Sequence, residues 1–236
     1  MNCAVVDSRI SNACRSRLIA EGFCLITLPP HSALGAPVAS HTDMLIARIG
    51  ENLVFNRSYA NAHPEIIDKI RVAASKYNIV LDDAVLSEVY PNDCVYNSLV
   101  TNEKIYTAHT DNDSISHLAN KMGKTLVKIK QGYPACTTLL LNGKRAVTAD
   151  EGMARVLRSD GFSVTIIENG DISLPPHAYG FIGGACGVFR NTVYFCGDVG
   201  THRSFDKIST AIKDAGMNYI CLSDEKLSDL GGIIFL

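Results

Sequence analysis

The sequence predicts an α/β fold made of five similar units, with one unit divided between the two ends of the chain. Helix-ending residues recur at Gly22-Phe23, Asn78-Ile79, Gly123-Lys124, Gly161-Phe162 and Gly216-Met217. Gly and Asn readily take the left-handed conformation that closes a helix in this way. Each is followed by a short β-branched or apolar run: CLITL (24–28), IVL (79–81), TLVKI (125–129), SVTII (163–167) and NYICL (218–222). The last six residues, GGIIFL (231–236), read as the opening strand of a unit whose other parts lie at the N-terminus. Such a repeat sets which residues face one another.

The elements follow in order. CAVVD (3–7) is a strand, a helix spans about Ser11 to Ala20, and CLITL is the next strand. Four hairpins come after: DMLIARIGENLVF (43–55), DCVYNSLVTNEKIYT (93–107), ACTTLLLNGKRAVTA (135–149) and ACGVFRNTVYFCG (185–197). They turn at Gly50, Thr101-Asn102, Asn142-Gly143 and Arg190-Asn191, and Asn-Gly between apolar runs is a strong hairpin signal. His63-Pro64-Glu65 opens a helix, with Pro at its first position. His109 to Asp113 turns the chain and caps the helix starting near Ser114; Asp150-Glu151 and Asp198 to His202 hold the same place in their units. The stripes Ile66/Ile67/Ile70/Ala74, Met153/Val156/Leu157 and Ile208/Ala211/Ile212 are core faces. The units run 231–236 with 1–40, 41–90, 91–132, 133–182 and 183–230, in one domain of residues 1–236. Pairing of the C-terminal strand with the N-terminal one would close the five into a ring and leave no open sheet edge.

Composition narrows the function classes. With 47% apolar residues the chain has ample material for a core. A net charge of −2 without a basic run disfavours nucleic acid. No stretch reaches the ~18 apolar residues of a membrane span, and no secretory signal is read at the start. Of the eight cysteines, Cys24, Cys94, Cys196 and Cys221 fall inside expected strands and none forms a C-x-x-C pair. They read as reduced, buried thiols of a cytoplasmic protein.

The five-unit pattern with its permuted closure resembles the pentein fold, the five-bladed α/β propeller with pseudo-fivefold symmetry of the guanidino-modifying superfamily. That superfamily includes arginine deiminases, dimethylarginine hydrolases, agmatine deiminases and amidinotransferases. A non-enzyme relative, an initiation factor, binds the large ribosomal subunit. The resemblance covers the whole chain and is nearest to an uncharacterised bacterial branch. It implies a site at the ring axis, where the inner strands begin: His41 to Asp43, Pro91 to Cys94, Tyr133 to Thr137, Gly183 to Gly187, and Gly231-Gly232.

The enzymes of that superfamily use a thiolate nucleophile, a His acid–base and carboxylates that hold the cationic substrate. His41-Thr42-Asp43-Met44 is similar to the His-x-Asp start of arginine deiminases. The family nucleophile lies two blades beyond the His, which lands on Cys136, followed by Thr137 and Thr138. The resemblance therefore implies Cys136 and His41 as catalytic residues. Asp43, Asn92, Asp93, Gly184 and Cys186 would bind substrate, with no metal or organic cofactor.

The chain also departs from the family pattern. GGIIFL lacks the Cys expected in an unrotated register, and Tyr133 falls where the His should be. Of Glu-x-Gly-Asp only Asp93 stands in place, while Glu168-Asn169-Gly170-Asp171 has the motif after a third strand. His41 and Asp43 also suit loop and turn roles, and Cys136 and Cys186 also suit core thiols. Cys186, behind Gly183-Gly184, is the alternative nucleophile. Two classes of function result. An enzyme on a small guanidino or amidino compound expects a thiol of low pKa and a pocket rimmed by acids. A non-catalytic module binding a small molecule or a protein expects ordinary buried thiols. Oligomeric state is not legible.

Overall fold

The computed structural model describes residues 2–236. The chain forms β1 (Cys3–Asp7), α1 (Asn12–Ala20), β2 (Cys24–Leu28), α2 (Thr42–Leu45), β3 (Ile46–Ile49), β4 (Asn52–Asn56), α3 (Arg57–Ala62), α4 (Pro64–Ala73) and β5 (Asn78–Asp82). It continues through β6 (Leu99–Val100), β7 (Lys104–Thr107), α5 (Asp113–Lys121), β8 (Thr125–Lys128), α6 (Pro134–Thr137), β9 (Thr138–Leu141), β10 (Arg145–Thr148), α7 (Glu151–Ser159) and β11 (Ser163–Ile166). The last elements are β12 (Cys186–Phe189), β13 (Thr192–Phe195), α8 (Phe205–Asp214), β14 (Asn218–Cys221) and β15 (Ile234–Phe235).

The strands form five separate three-stranded sheets: β15-β1-β2, β3-β4-β5, β6-β7-β8, β9-β10-β11 and β12-β13-β14. In each, the first pair is antiparallel and the third strand returns parallel to the second after a helix. The ends of the chain share one sheet, with Ala4 opposite Phe235 and Val5 opposite Ile234.

Sequence periodicity explains the buried strands. Successive side chains point to opposite faces of a strand. Cys3 and Val5 join the cluster of Leu45, Ile46 and Val54. Ala4 and Val6 join Phe23, Tyr194 and Phe235. Both faces of β1 are therefore covered, which is why CAVV shows no polar alternation. On α4 the stripe Ile66, Ile67 and Ile70 is buried, each side chain contributing roughly 1.5–3 kcal/mol of transfer free energy.

The helix stops are met at four of five places. Gly22, Gly123, Gly161 and Gly216 have φ of +89°, +63°, +83° and +66°. The fifth is a correction: α4 ends at Ala73, a turn follows, and Asn78 is already the first residue of β5. Strand pairing wins there, because the Asn78 N–H donates to the Glu51 carbonyl. The expected caps are met at α5 and α7, whereas α8 follows Ser204 without a side-chain cap. Asn112 and Asp150 accept the N–H groups of Ile115 and Met153, and Asp198 accepts that of Gly200 in a short 3-10 turn before α8. A second correction concerns the third unit, where residues 93–98 form turns instead of strand and only Leu99-Val100 pairs with β7.

Candidate active site

Two single helical turns set the site. α2 and α6 each occupy one turn before an inner strand, carrying Asp43 and Cys136, with His41 at the N-terminal boundary of α2. Glycines let the neighbouring backbones close in. A Cβ on Gly183 would lie 2.1 Å from the Ala135 carbonyl oxygen, and one on Gly231 2.5 Å from His41 Cβ. Backbone bonds tie these starts together: Gly184 N–H to Cys136 O, and the N–H groups of Leu230 and Gly232 to Gly184 O. The Thr42 hydroxyl donates to Gly231 O at 2.6 Å. Parts of all five units thus converge on one buried cluster.

Within it, the Cys136 thiol donates to Asp43 Oδ2 at 2.6 Å and accepts from Asn97 Nδ2 at 3.4 Å. Polar atoms of His41, Cys136 and Asp229 all lie within 4.8 Å of one another. Asp229 Oδ2 accepts the Phe181 N–H at 2.8 Å, and its Oδ1 the Gly231 N–H at 3.1 Å. The imidazole sits between two carboxylates. His41 Nε2 is 4.0 Å from Asp7, and Nδ1 is 4.0 Å from Asp229. Among the described residues neither ring nitrogen has a hydrogen-bond partner. Arg9 grips Asp7 through its backbone N–H, Nε and Nη2 at 2.7, 3.0 and 2.6 Å.

Burial dominates the electrostatics. It pushes the Asp43 carboxyl up to about 8, against the hydrogen bond from Cys136, with the Asp229 charge adding to the rise. Burial also raises Asp229, opposed by His41, and lowers His41, opposed by Asp229 and Asp7. The Cys136 thiol goes well above its ordinary value through burial and then the charges of Asp43 and Asp229. At neutral pH the resting cluster is therefore a protonated thiol beside a neutral imidazole. The low-pKa thiol expected of an enzyme is not found, because the groups acting on the sulfur are two carboxyls and an amide and include no Lys or Arg. His41, Cys136 and Asp229 are also the side chains that could hold a metal ion, an imidazole nitrogen, a thiolate and a carboxylate being suitable donors.

The expected site residues divide. Cys136, His41 and Asp43 meet, and Gly184 packs against Asp229, where a Cβ would lie 2.0 Å from Oδ1. Asp93 is buried but bonds elsewhere: its Oδ2 accepts the Tyr133 hydroxyl at 2.6 Å, while Oδ1 has no partner among the described residues. Cys186 is buried, donates to Ile182 O at 3.2 Å and is raised by burial, which makes it a core thiol. Asn92 is exposed, and its backbone closes a turn with Ser87 and Val89. Sequence reading missed Asp229, Asn97 and Asp7. Asp229 had a signal, standing two residues before Gly231 at the same strand start as His41 in its own unit. Asn97 had none, because it reaches Cys136 only through the turns that replace the expected strand.

A family model described as a family of unknown function (DUF6873) matches residues 5–234. The chain belongs to that family. No curated protein matches it. Among solved structures it is similar to a dimethylarginine dimethylaminohydrolase, with 12% identity, TM-score 0.56, and 95% of this chain and 93% of that one covered. It is also similar to the C. jejuni agmatine deiminase, at 9% identity and TM-score 0.58, covering 94% and 87%. A third likeness is to the inosamine-phosphate amidinotransferase of Streptomyces griseus, at 14% identity and TM-score 0.54, covering 92% and 74%. The chain shares the fold of the guanidino-modifying, or pentein, superfamily, as its repeat pattern suggested. At these identities the likeness is one of fold.

Proposed function

We propose that this protein acts on a small guanidino or amidino compound through a covalent intermediate on Cys136. The proximity of His41, Cys136 and Asp229, with Asp43 bonded to the thiol, carries this reading. The names of the structural neighbours, each acting on a guanidine or amidine, support the substrate class. The reading includes a five-bladed ring with the site at its axis and a cytoplasmic setting that keeps the thiols reduced.

The charge pattern suggests how a resting thiol becomes reactive. Asp43, Asp229 and Cys136 share a buried space that lacks a cation. A guanidinium or amidinium arriving there lowers all three, because an opposite charge nearby favours each ionised form. Cys136 Sγ then bonds to the amidino carbon as its proton passes to His41. The carbon–nitrogen bond breaks, and His41 returns the proton to the departing amine. Water, deprotonated by His41, attacks the same carbon, and the carbon–sulfur bond breaks to restore the thiol. Asp93 would hold the outer part of the substrate.

The buried, protonated thiol supports a second reading, a non-catalytic pentein that binds a small molecule or a protein. One experiment separates the two: alkylation at pH 7.5 by cationic chloroacetamidine and by neutral iodoacetamide, with mass-spectrometric mapping. The enzyme reading expects chloroacetamidine to label Cys136 selectively, and the labelling to fall in His41→Ala and Asp43→Asn. No adduct on Cys136 with either reagent removes the covalent mechanism and leaves the binding module.

A further inference from the structure

The motif Glu168-Asn169-Gly170-Asp171 takes no part in the reactive cluster. Its first three residues, Glu168, Asn169 and Gly170, lie instead on the wall of a separate cavity of about 310 Å³, lined chiefly by the fourth unit together with Gln131 and His202. Cys136, His41 and Asp43 are not among its lining residues. The charged side chains of the wall are Asp150, Glu151 and Glu168, with no Lys or Arg. Asp150 is committed, accepting from Met153 N and from Gln131 Nε2. Glu151 and Glu168 form no ion pair among the described residues. The neighbouring cation, Arg203, is held by Asp171 through its N–H, Nε and Nη2 at 3.0, 2.7 and 3.0 Å.

A second observation points to a ligand. His202 lines the same cavity and is only 2% exposed. Its Nδ1 accepts the Ser204 N–H at 3.0 Å, so the proton of the neutral ring belongs on Nε2. That Nε2 has no partner among the described residues. Burial lowers the His202 pKa, opposed by Asp171 and Glu168, while Arg203 and Lys226 lower it further, so the ring is neutral and Nε2 is a donor. A buried donor without an acceptor is a rare and costly state. The wall therefore asks for an acceptor oxygen at His202 and for positive charge at Glu168 and Glu151. Its size suits a small metabolite.

We propose that this cavity binds a small zwitterion, with its ammonium or guanidinium end at Glu168 and Glu151 and its carboxylate or carbonyl oxygen on His202 Nε2. The site does not depend on the chemistry assigned to Cys136. It adjoins that chemistry at two places: Gly180 and Phe181 line the cavity, with the Phe181 N–H holding Asp229, and Thr137, next to Cys136 on α6, lines it too.

The test is a titration of ¹⁵N-histidine-labelled protein, following the His202 Nε2 resonance. The probes are 4-aminobutyrate, butyrate and butylammonium, which carry both charges, the anion alone and the cation alone. The expected result is a saturable shift with 4-aminobutyrate, at least tenfold tighter than with either single-charge probe. Glu168→Gln, an exposed position, should loosen binding tenfold or more, and His202→Phe, read by isothermal titration calorimetry because it lacks the reporting ring, should abolish it. Cys136→Ser should leave it unchanged. The proposal is overturned by no saturable shift up to about 10 mM of any probe, by butyrate binding as tightly as 4-aminobutyrate, or by an unaffected Glu168→Gln. Loss of binding in Cys136→Ser would move the ligand to the axis and equally overturn it. If His202→Phe does not fold, Glu168→Gln and the three probes decide the matter.

Discussion

The thiol of Cys136 donates to Asp43 Oδ2 at 2.6 Å, across 93 residues of sequence and inside a fully buried space. The effect is one-sided: the thiol's hydrogen bond favours the carboxylate, while the carboxylate disfavours the thiolate. The carboxylate raises the thiol, and burial raises them both. Reactivity in this protein is thus tied to whatever positive charge joins the pair.

The pair gives stability a pH dependence. Asp43 has a folded value of about 8 against an ordinary 3.8. Between those values the folded chain keeps a proton that the unfolded chain has released, so this group's contribution is lost as pH rises from about 4 towards 8. His41 acts oppositely: its lowered value costs stability as pH falls below about 6.5. From about pH 4 to about pH 8 the melting temperature of the wild type should fall relative to that of Asp43→Asn, and the difference should level off above that. The effect is on the order of a few kcal/mol. Parallel curves would show that Asp43 titrates normally.

On the catalytic reading, Cys136→Ala abolishes turnover while the chain still folds. His41→Asn lowers turnover by about 10²–10⁴-fold, the usual contribution of a positioned acid–base group. Turnover assays with guanidino substrates, paired with melting curves, check both. A fully active Cys136→Ala would end the thiol mechanism.

Two glycines test how tightly the cluster is built. A Cβ on Gly184 meets the Asp229 carboxylate, which has some freedom to move; one on Gly183 meets the carbonyls of Ala135, Thr138 and Cys136, which have little. Gly184→Ala should cost about 1–3 kcal/mol and displace Asp229, lowering activity. Gly183→Ala should cost more. Urea denaturation of both variants gives the order, and the reverse order would contradict the packing described.

Helix ends supply a cleaner backbone comparison. Gly161 has φ +83° and open space around its Cβ position. Gly161→Ala should therefore cost about 1 kcal/mol through conformation alone. Asn78→Ala should cost less, because Asn78 belongs to β5 and does not close a helix. Equal losses in chemical denaturation would restore Asn78 as a helix stop.

Asn112 has two duties: its Oδ1 caps α5 at Ile115 N, and its Nδ2 donates to the buried Asp82 at 3.1 Å. Asn112→Ala should cost about 1–2 kcal/mol, chiefly the lost cap, because Asp82 Oδ1 keeps its bonds from Tyr96 and Ala84. Asn112→Asp keeps the cap but sets two carboxylates together, so it should recover little near neutral pH and more in acid, as thermal melts at pH 5 and pH 8 would record.

By itself the sequence determined the repeat. Four helix-closing glycines, the hairpin turns and the capping residues are local signals, because dihedral preference and side-chain-to-backbone bonding act within a few residues. Apolar periodicity then told which faces are buried, and the split unit foretold the pairing of β15 with β1. His41, Asp43 and Cys136 were legible as residues at equivalent strand starts. The tertiary structure alone decided who meets whom there. Asn97 reaches Cys136 because the third unit turns where it should have paired. Asp7 faces His41 from the end of β1, and Cys186, equivalent in sequence to a reactive position, points into its own loop. The protonation of the thiol was also undecidable from sequence. It depends on burial and on the charges of Asp43 and Asp229, held by two segments far from Cys136 in the chain, and those distances exist only once the units have packed.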